Sequence, residues 1–255
     1  MRQSVRIKPN TAYGLVLGRG GSKGLPGKNV RKLGGHPLVC WSVAAGKVAS
    51  LDRVICSTDD VDIASAALSA GAEVPFTRPA SLAADGSTDY DVFNHFLNWL
   101  AENEKSIPEF VVQLRPTTPF RDPAWIESGL QLMRDGRIDS VRSVTPAPLP
   151  PYKMWRERDD GFLEPIIQVP GLAEAYNRPR GELPTALWHT GQLDIVRSEV
   201  VLAGSMTGAR IKALNVPQDM AIDIDHMIDF QLAEICFDQI MPSSLIRYLQ
   251  ELSND

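Results

Sequence analysis

The sequence predicts an α/β fold, a mostly parallel sheet with helices on both faces, carrying a small inserted lobe. Three observations lead there. Short apolar runs at Tyr13–Leu17, Arg53–Ser57 and Phe110–Leu114 alternate with stretches of helical apolar spacing. Polar, glycine- or proline-rich loops follow those runs, at the strand ends where open parallel sheets bind ligands. The rhythm then breaks between Pro146 and Leu183, where prolines at 146, 148, 150, 151, 165, 170 and 179 punctuate a charged stretch with only short apolar runs.

A chain of 255 residues with 44% hydrophobic content is long enough for one large domain, so a single domain over 1–255 is expected, with the lobe at about 146–183. A net charge of −5 argues against a general nucleic-acid or membrane-surface binder. Cys40, Cys56 and Cys236 are widely separated and lack metal-site spacing, which reads as reduced thiols and points to the cytoplasm. Met1 to Asn10 has no apolar signal core, and no run approaches the ~18 apolar residues of a membrane span, so neither export nor insertion is expected.

The first strand, Tyr13–Leu17, feeds Leu17-Gly18-Arg19-Gly20-Gly21-Ser22-Lys23-Gly24-Leu25-Pro26-Gly27-Lys28-Asn29. Its glycines allow tight turning with several N–H groups converging, and Arg19, Lys23 and Lys28 add charge that suits a polyanion such as a nucleoside triphosphate. An exposed cationic turn is the alternative. Walker and dinucleotide patterns are both excluded, because Ser22, Lys23 and Asn29 stand where those motifs need other residues.

Pro37–Ser50 reads as a helix with Pro37 in its first turn. Strand Arg53–Ser57 ends on Thr58-Asp59-Asp60, which can cap a helix over Asp62–Ala70. A third unit, Ala72–Phe76, is expected to lead into a polar loop holding Arg78 and Asp85, before a helix from about Tyr90 to Glu102. Strand Phe110–Leu114 runs into Arg115-Pro116-Thr117-Thr118-Pro119-Phe120-Arg121-Asp122-Pro123, whose prolines make either a rigid ligand wall or a helix entry capped by Asp122. A helix over Ala124–Asp135 and a strand over Ser140–Thr145 follow. In the lobe, Met154, Trp155 and Ile166–Val169 could pack against a second subunit or back onto their own domain.

Ala186–Val196 returns to strand character with a kink at Thr190-Gly191, and Ile211–Val216 is another strand. In Met220–His226, apolar and acidic residues alternate, which puts Asp223 and Asp225 on one face of an extended segment ahead of a helix from Met227 to about Ile240. Two such carboxylates suit Mg²⁺, with Asp225 as a simple helix cap as the alternative. His36, His95, His189 and His226 lack metal-ligand spacing and read as turn, surface or core residues.

With these motifs placed, the sequence resembles the N-acylneuraminate (nonulosonic acid) cytidylyltransferases, the CMP-sialic acid synthetase-like family related to the 3-deoxy-manno-octulosonate enzyme. The segments that carry the resemblance are Arg19–Asn29, Arg78-Pro79-Ala80-Ser81-Leu82-Ala83, Arg115–Arg121 and Ile222-Asp223-Ile224-Asp225, in that order. It implies a Rossmann-like, nucleotide-diphospho-sugar transferase-like fold, a dimerisation lobe and a homodimer. The implied reaction is transfer of CMP from CTP to the anomeric hydroxyl of a sialic-acid-like sugar acid, with Mg²⁺ and release of pyrophosphate.

The same resemblance implies nucleotide contacts from Leu17, Gly18, Arg19, Gly20, Gly21, Ser22, Lys23, Lys28 and Asn29, and from Arg78, Asp85, Ser87 and Asp89 around the cytosine. Arg19 and Lys23 would stabilise departing pyrophosphate, and Asp223 and Asp225 would hold the metal. Sugar contacts would come from Arg115, Thr117, Thr118, Thr190 and Gln192, with Lys153 and Arg180 reaching across a dimer interface. The chain departs from the sialic-acid pattern where it has Arg115 instead of Gln, and Thr190-Gly191-Gln192-Leu193-Asp194 instead of Asn-Gly-Ala-Ile-Tyr. Another nonulosonate or octulosonate acceptor, a UTP or GTP donor, a glycosyltransferase and a catalytically silent nucleotide binder are the competing readings.

Overall fold

The computed structural model describes residues 5–254, and Met1–Ser4 of the N-terminal segment lie outside it. Its main sheet joins β1 (Arg6–Leu17), β4 (Arg53–Ser57), β5 (Ser106–Leu114), β6 (Ser140–Pro146), β9 (Leu187–Arg197) and β10 (Ile211–Asn215) in the order β10-β6-β9-β5-β1-β4. Only β9 runs against its neighbours; the β1–β4, β1–β5 and β6–β10 pairs are parallel. A two-residue ladder joins β2 (Lys32–Leu33) to β3 (His36–Pro37).

Alternation along the strands feeds two cores. Ala12 and Val16 of β1, Val112 and Leu114 of β5, and Leu193 and Ile195 of β9 face one side. There they meet α1 (Leu38–Val48), α2 (Val61–Ser69), α4 (Pro123–Met133), α6 (Met227–Ile240) and α7 (Ser243–Leu252). Tyr13, Leu15, Val111 and Val196 face the other, under α3 (Asp89–Glu104) and the short α5 (Ser198–Leu202). Sheet and helices thus form the layers expected from the sequence.

The helix boundaries follow their chemistry. Asp60 accepts from the Asp62 and Ile63 N–H groups to start α2, Asp122 accepts from Ala124 N–H to start α4 behind Pro123, and Thr88 and Asp91 cap α3 reciprocally. Two expectations are corrected. Ala72–Phe76 forms no strand: Glu73 alone bridges Ile55, exchanging bonds with Val54 and Cys56 at the sheet edge. Asp223–Asp225 lies in irregular backbone with no ladder partner, although the alternation survives, Ile224 buried between two exposed acids.

Residues 146–183 hold a three-residue hairpin, β7 (Trp155–Glu157) with β8 (Leu163–Pro165), and single 3-10 turns. Met154, Trp155, Phe162, Leu163, Ile166 and Ile167 are exposed there. No helix among the described residues is long and apolar enough to cross a membrane, and the three cysteines are unpaired.

Candidate active site

The glycine-cation loop leaves the carboxyl end of β1 and lines a cleft of about 520 Å³, within the ~300–1,000 Å³ range of small-molecule sites. Leu17, Arg19, Ser22, Lys23, Lys28 and Asn29 form one wall. Across from them stand Arg78, Asp85, Ser87 and Asp89, between the sheet edge and the first residue of α3, and Thr117 and Asp225 close the far end. Arg19, Lys23 and Lys28 of the loop thus share one cleft with Asp225, whereas Asp223 is not among its lining residues.

Lys28 makes that junction. Its buried ammonium donates to Ile224 O at 2.7 Å and to Asp225 Oδ1 at 2.8 Å. Ile224 N–H in turn donates to Thr117 O at 2.8 Å, so the acidic segment is stitched both to the loop and to the proline-rich turn after β5. Gly24 is needed where the loop crosses this segment, since a Cβ there would lie 2.5 Å from Asp225 O. The cap alternative for Asp225 fails: Asp229 accepts from the Asp225 N–H at 3.0 Å and the His226 N–H at 2.7 Å, which leaves the Asp225 carboxylate for Lys28 and the cleft.

Asp223 is held above the usual carboxylate range, first by partial desolvation and further by Asp225's charge, while the Thr117 hydroxyl, Lys28 and Arg115 pull the other way. The pair offers hard oxygen ligands, and no group of three or more His, Cys, Asp or Glu residues among the described residues is placed to hold a metal ion without further ligands. Two carboxylates completed by substrate phosphates and water are the usual setting for Mg²⁺, so the donor set fits that ion.

Arg78 is buried, its guanidinium held by Ser57 Oγ at 3.1 Å and by Ser57 O, and desolvation lowers its pKa from the usual value. The nearby Ser87 hydroxyl is buried without a hydrogen-bond partner. Asp85 does not stand free beside a base site. It contacts both Arg19, at 3.1 Å, and Lys23, and the Lys23 hydrogen bond is the largest cause of its lowered pKa. The loop's glycines are partly engaged too: Gly18 N–H donates to Ser57 O and Gly20 N–H to Asp59 Oδ1, whereas Gly21 faces open space. Asn29 Nδ2 holds the loop's shape through Arg19 O at 2.9 Å.

The residues matched to a sugar divide. Arg115 leaves β5 beside the cleft and donates to Asp89 Oδ2 at 2.8 Å. Thr118, Thr190 and Gln192 are buried under that floor: Thr118 donates to Gly191 O, Thr190 to Ser143 Oγ, and Gln192 to Phe120 O and Met220 O. They shape the turn rather than line the cleft. Lys153 and Arg180 also stay outside it, Lys153 donating to Tyr176 O and Arg178 O within the lobe. Sequence reasoning missed His226, which lines the cleft beside Asp225, and Asp59, whose place after the β4 run was its only signal.

Comparison with known proteins agrees with this geometry. N-acylneuraminate cytidylyltransferase A of Danio rerio is 27% identical over 230 residues, 90% of this chain and 51% of that protein. CMP-N,N'-diacetyllegionaminic acid synthase of Legionella pneumophila is 37% identical over 141 residues, 54% of this chain and 59% of that protein. The chain thus spans little more than half the length of either relative. A CMP:2-keto-3-deoxy-manno-octonic acid synthetase solved with CTP superposes with a TM-score of 0.63 at 17% identity, over 90% of this chain and 99% of that one, which shows a shared fold. The family model for cytidylyltransferases matches residues 13–146, from the first core strand through the glycine-cation loop and the proline-rich turn, and the chain belongs to that family.

Proposed function

We propose that the protein transfers CMP from CTP to the anomeric hydroxyl of a nonulosonic, sialic-acid-like sugar acid. The observation that carries the reading is the Lys28–Asp225 junction, which joins the glycine-cation loop to one of the two acids along a cleft of nucleotide size. The relatives' printed activities support the choice of CTP and of a nonulosonate.

An anionic sugar approaching a triphosphate meets strong repulsion, so charge neutralisation and positioning are what the site supplies. Bound by Asp223 and Asp225, Mg²⁺ would neutralise the α-phosphate and acidify the attacking hydroxyl. The sugar oxygen bonds to the α-phosphorus, the bond from that phosphorus to the β-phosphate's bridging oxygen breaks, and the hydroxyl proton leaves to solvent through the open cleft. Arg19 and Lys23 exchange Asp85 for the departing pyrophosphate. Lys28 keeps the loop registered against Asp225, and the buried Arg78 with Ser87 and Asp89 bounds the base. The exposed apolar residues of the lobe support a homodimer, through which Lys153 and Arg180 would reach a second chain's cleft. The three unpaired thiols support the cytoplasm as the compartment.

The test is pyrophosphate release from CTP and Mg²⁺ against a panel of nonulosonic and octulosonic acids, with UTP as a parallel donor. Release that needs both CTP and one of the acids is expected. CTP binding without release would leave only a nucleotide-binding protein, and equal use of UTP would reject the donor assignment.

A further inference from the structure

Each cation of the glycine-cation loop meets a carboxylate from another part of the cleft wall. Arg19 and Lys23 hold Asp85 ahead of α3, and Lys28 holds Asp225 ahead of α6. The contacts to Asp85 lie at the surface, where water replaces either partner with little loss. The contact to Asp225 differs. The Lys28 ammonium is buried, and it donates to the neutral Ile224 O at 2.7 Å as well as to Asp225 Oδ1 at 2.8 Å.

The surroundings leave that contact one way to change. The Asp225 backbone is fixed, because its N–H donates to Asp229 Oδ2 at 3.0 Å and its carbonyl lies where a Cβ on Gly24 would come within 2.5 Å. Ile224 before it is buried, with its N–H on Thr117 O. The Asp225 carboxylate, by contrast, is 64% exposed and can turn about its own side-chain bonds. A buried ammonium left with a neutral carbonyl alone is costly. Lys28 lines the cleft, so an anion arriving there can replace Asp225 without leaving that charge unpaired. Until then Asp225 is a poor metal ligand: one oxygen is taken by an ammonium, and a divalent ion on the other faces that positive charge across a single carboxylate. Asp223 is engaged as well, by the Thr117 hydroxyl.

We propose that Lys28 is a resident stand-in for the metal ion, which makes nucleotide and metal bind with positive coupling. A phosphate taken up by Lys28 frees Asp225 for the metal, and the unliganded protein holds the metal weakly. This rests on the reading of the cleft as a site for a nucleotide and Mg²⁺. Lys28 keeps its bond to Ile224 O throughout, so the loop and the acidic segment stay in register while one contact is exchanged for another. Coupling of this kind is reciprocal, and bound metal favours the nucleotide by the same factor. It differs from phosphate oxygens merely adding ligands to the ion, because removing the Lys28 charge then strengthens metal binding with no nucleotide present.

The probe is Mn²⁺, with the free ion read by electron paramagnetic resonance in solutions of the whole chain without nucleotide. Lys28→Met should tighten Mn²⁺ binding by about tenfold to a hundredfold, the scale of one charge-assisted contact removed from competition. Lys23→Met removes an equal charge from the same loop but leaves Asp225 alone, and its Mn²⁺ affinity should stay within about twofold of wild type. Asp225→Asn added to Lys28→Met should abolish the gain. The ratio of CTP Kd values without and with Mn²⁺ should be smaller in Lys28→Met than in wild type, by the factor gained in Mn²⁺ affinity. Mn²⁺ binding that is unchanged or weaker in Lys28→Met, the result of a merely structural role, overturns the proposal, as does an equal gain in Lys23→Met. Either failure leaves the transferase reading in place if wild type releases pyrophosphate. The expected Mn²⁺ pattern in a protein that releases none with any acid overturns that reading and upholds the exchange at Lys28.

Discussion

Lys28 decides whether the two ends of the chain act as one site. Its side chain is 11% exposed, and an ammonium taken that far from water is costly unless it is paired and hydrogen-bonded. Ile224 O and Asp225 provide both conditions, so the loop and the acidic segment stabilise each other. Lys28→Met keeps the length of the side chain and removes its charge. Turnover should fall by about a hundredfold or more, the scale of a lost electrostatic contact in an active site, with the far-UV circular dichroism unchanged. Steady-state pyrophosphate release checks this, and undiminished turnover would take Lys28 out of the site. That Lys28 belongs to the loop lining the cleft was legible from its place among glycines. Its bond to Asp225 was not, because 197 positions separate the partners and only the folded sheet brings them together.

Among the elements, apolar runs and capping residues were enough to find β4, β5 and β6 and the helices that follow the first two. They failed at the start of β1, which begins at Arg6, where the leading RIKPN stretch is mostly polar and exposed and its register with β5 breaks between Lys8 and Ala12. They failed again at Ala72–Phe76, where an apolar stretch next to a sheet edge gives a single bridge. The entry to α6 shows what local chemistry can achieve. Asp229 caps two N–H groups, so Asp229→Ala should lower stability by about 1 kcal/mol in urea unfolding, as lost N-caps do. It should also reduce turnover, because the uncapped N–H groups are free to draw the Asp225 carboxylate away from the cleft. A stability loss with full activity would separate the cap from the catalytic acids.

At the scale of the whole molecule, the lobe exposes the apolar side chains that the proposed homodimer would cover. Trp155 and Phe162 are 40% and 67% exposed on a hairpin of three-residue strands, too small to hold itself together by its own burial. A double Trp155→Ser/Phe162→Ser variant should elute as a monomer where the wild type elutes as a dimer, measured by size exclusion with light scattering at micromolar concentration. A wild-type monomer would assign those residues to another contact. The loop that lines the cleft was readable because its glycines and cations are contiguous in sequence. The contacts around Asp194 were not: Arg115, Arg142 and His189 come from three strands or strand ends, and they converge on it only because β9 runs antiparallel between β5 and β6 and breaks register near Gly191.

If the cleft takes a nucleoside triphosphate as proposed, the grip of Asp85 on Arg19 and Lys23 would let it sort anions by valence. A chloride or an acetate offers those two cations no more than the tethered carboxylate already does, and it must also give up its freedom in solution to compete. A chain of three phosphates, as the proposed CTP carries, would bring several charges at once and displace the carboxylate where a common small ion would not.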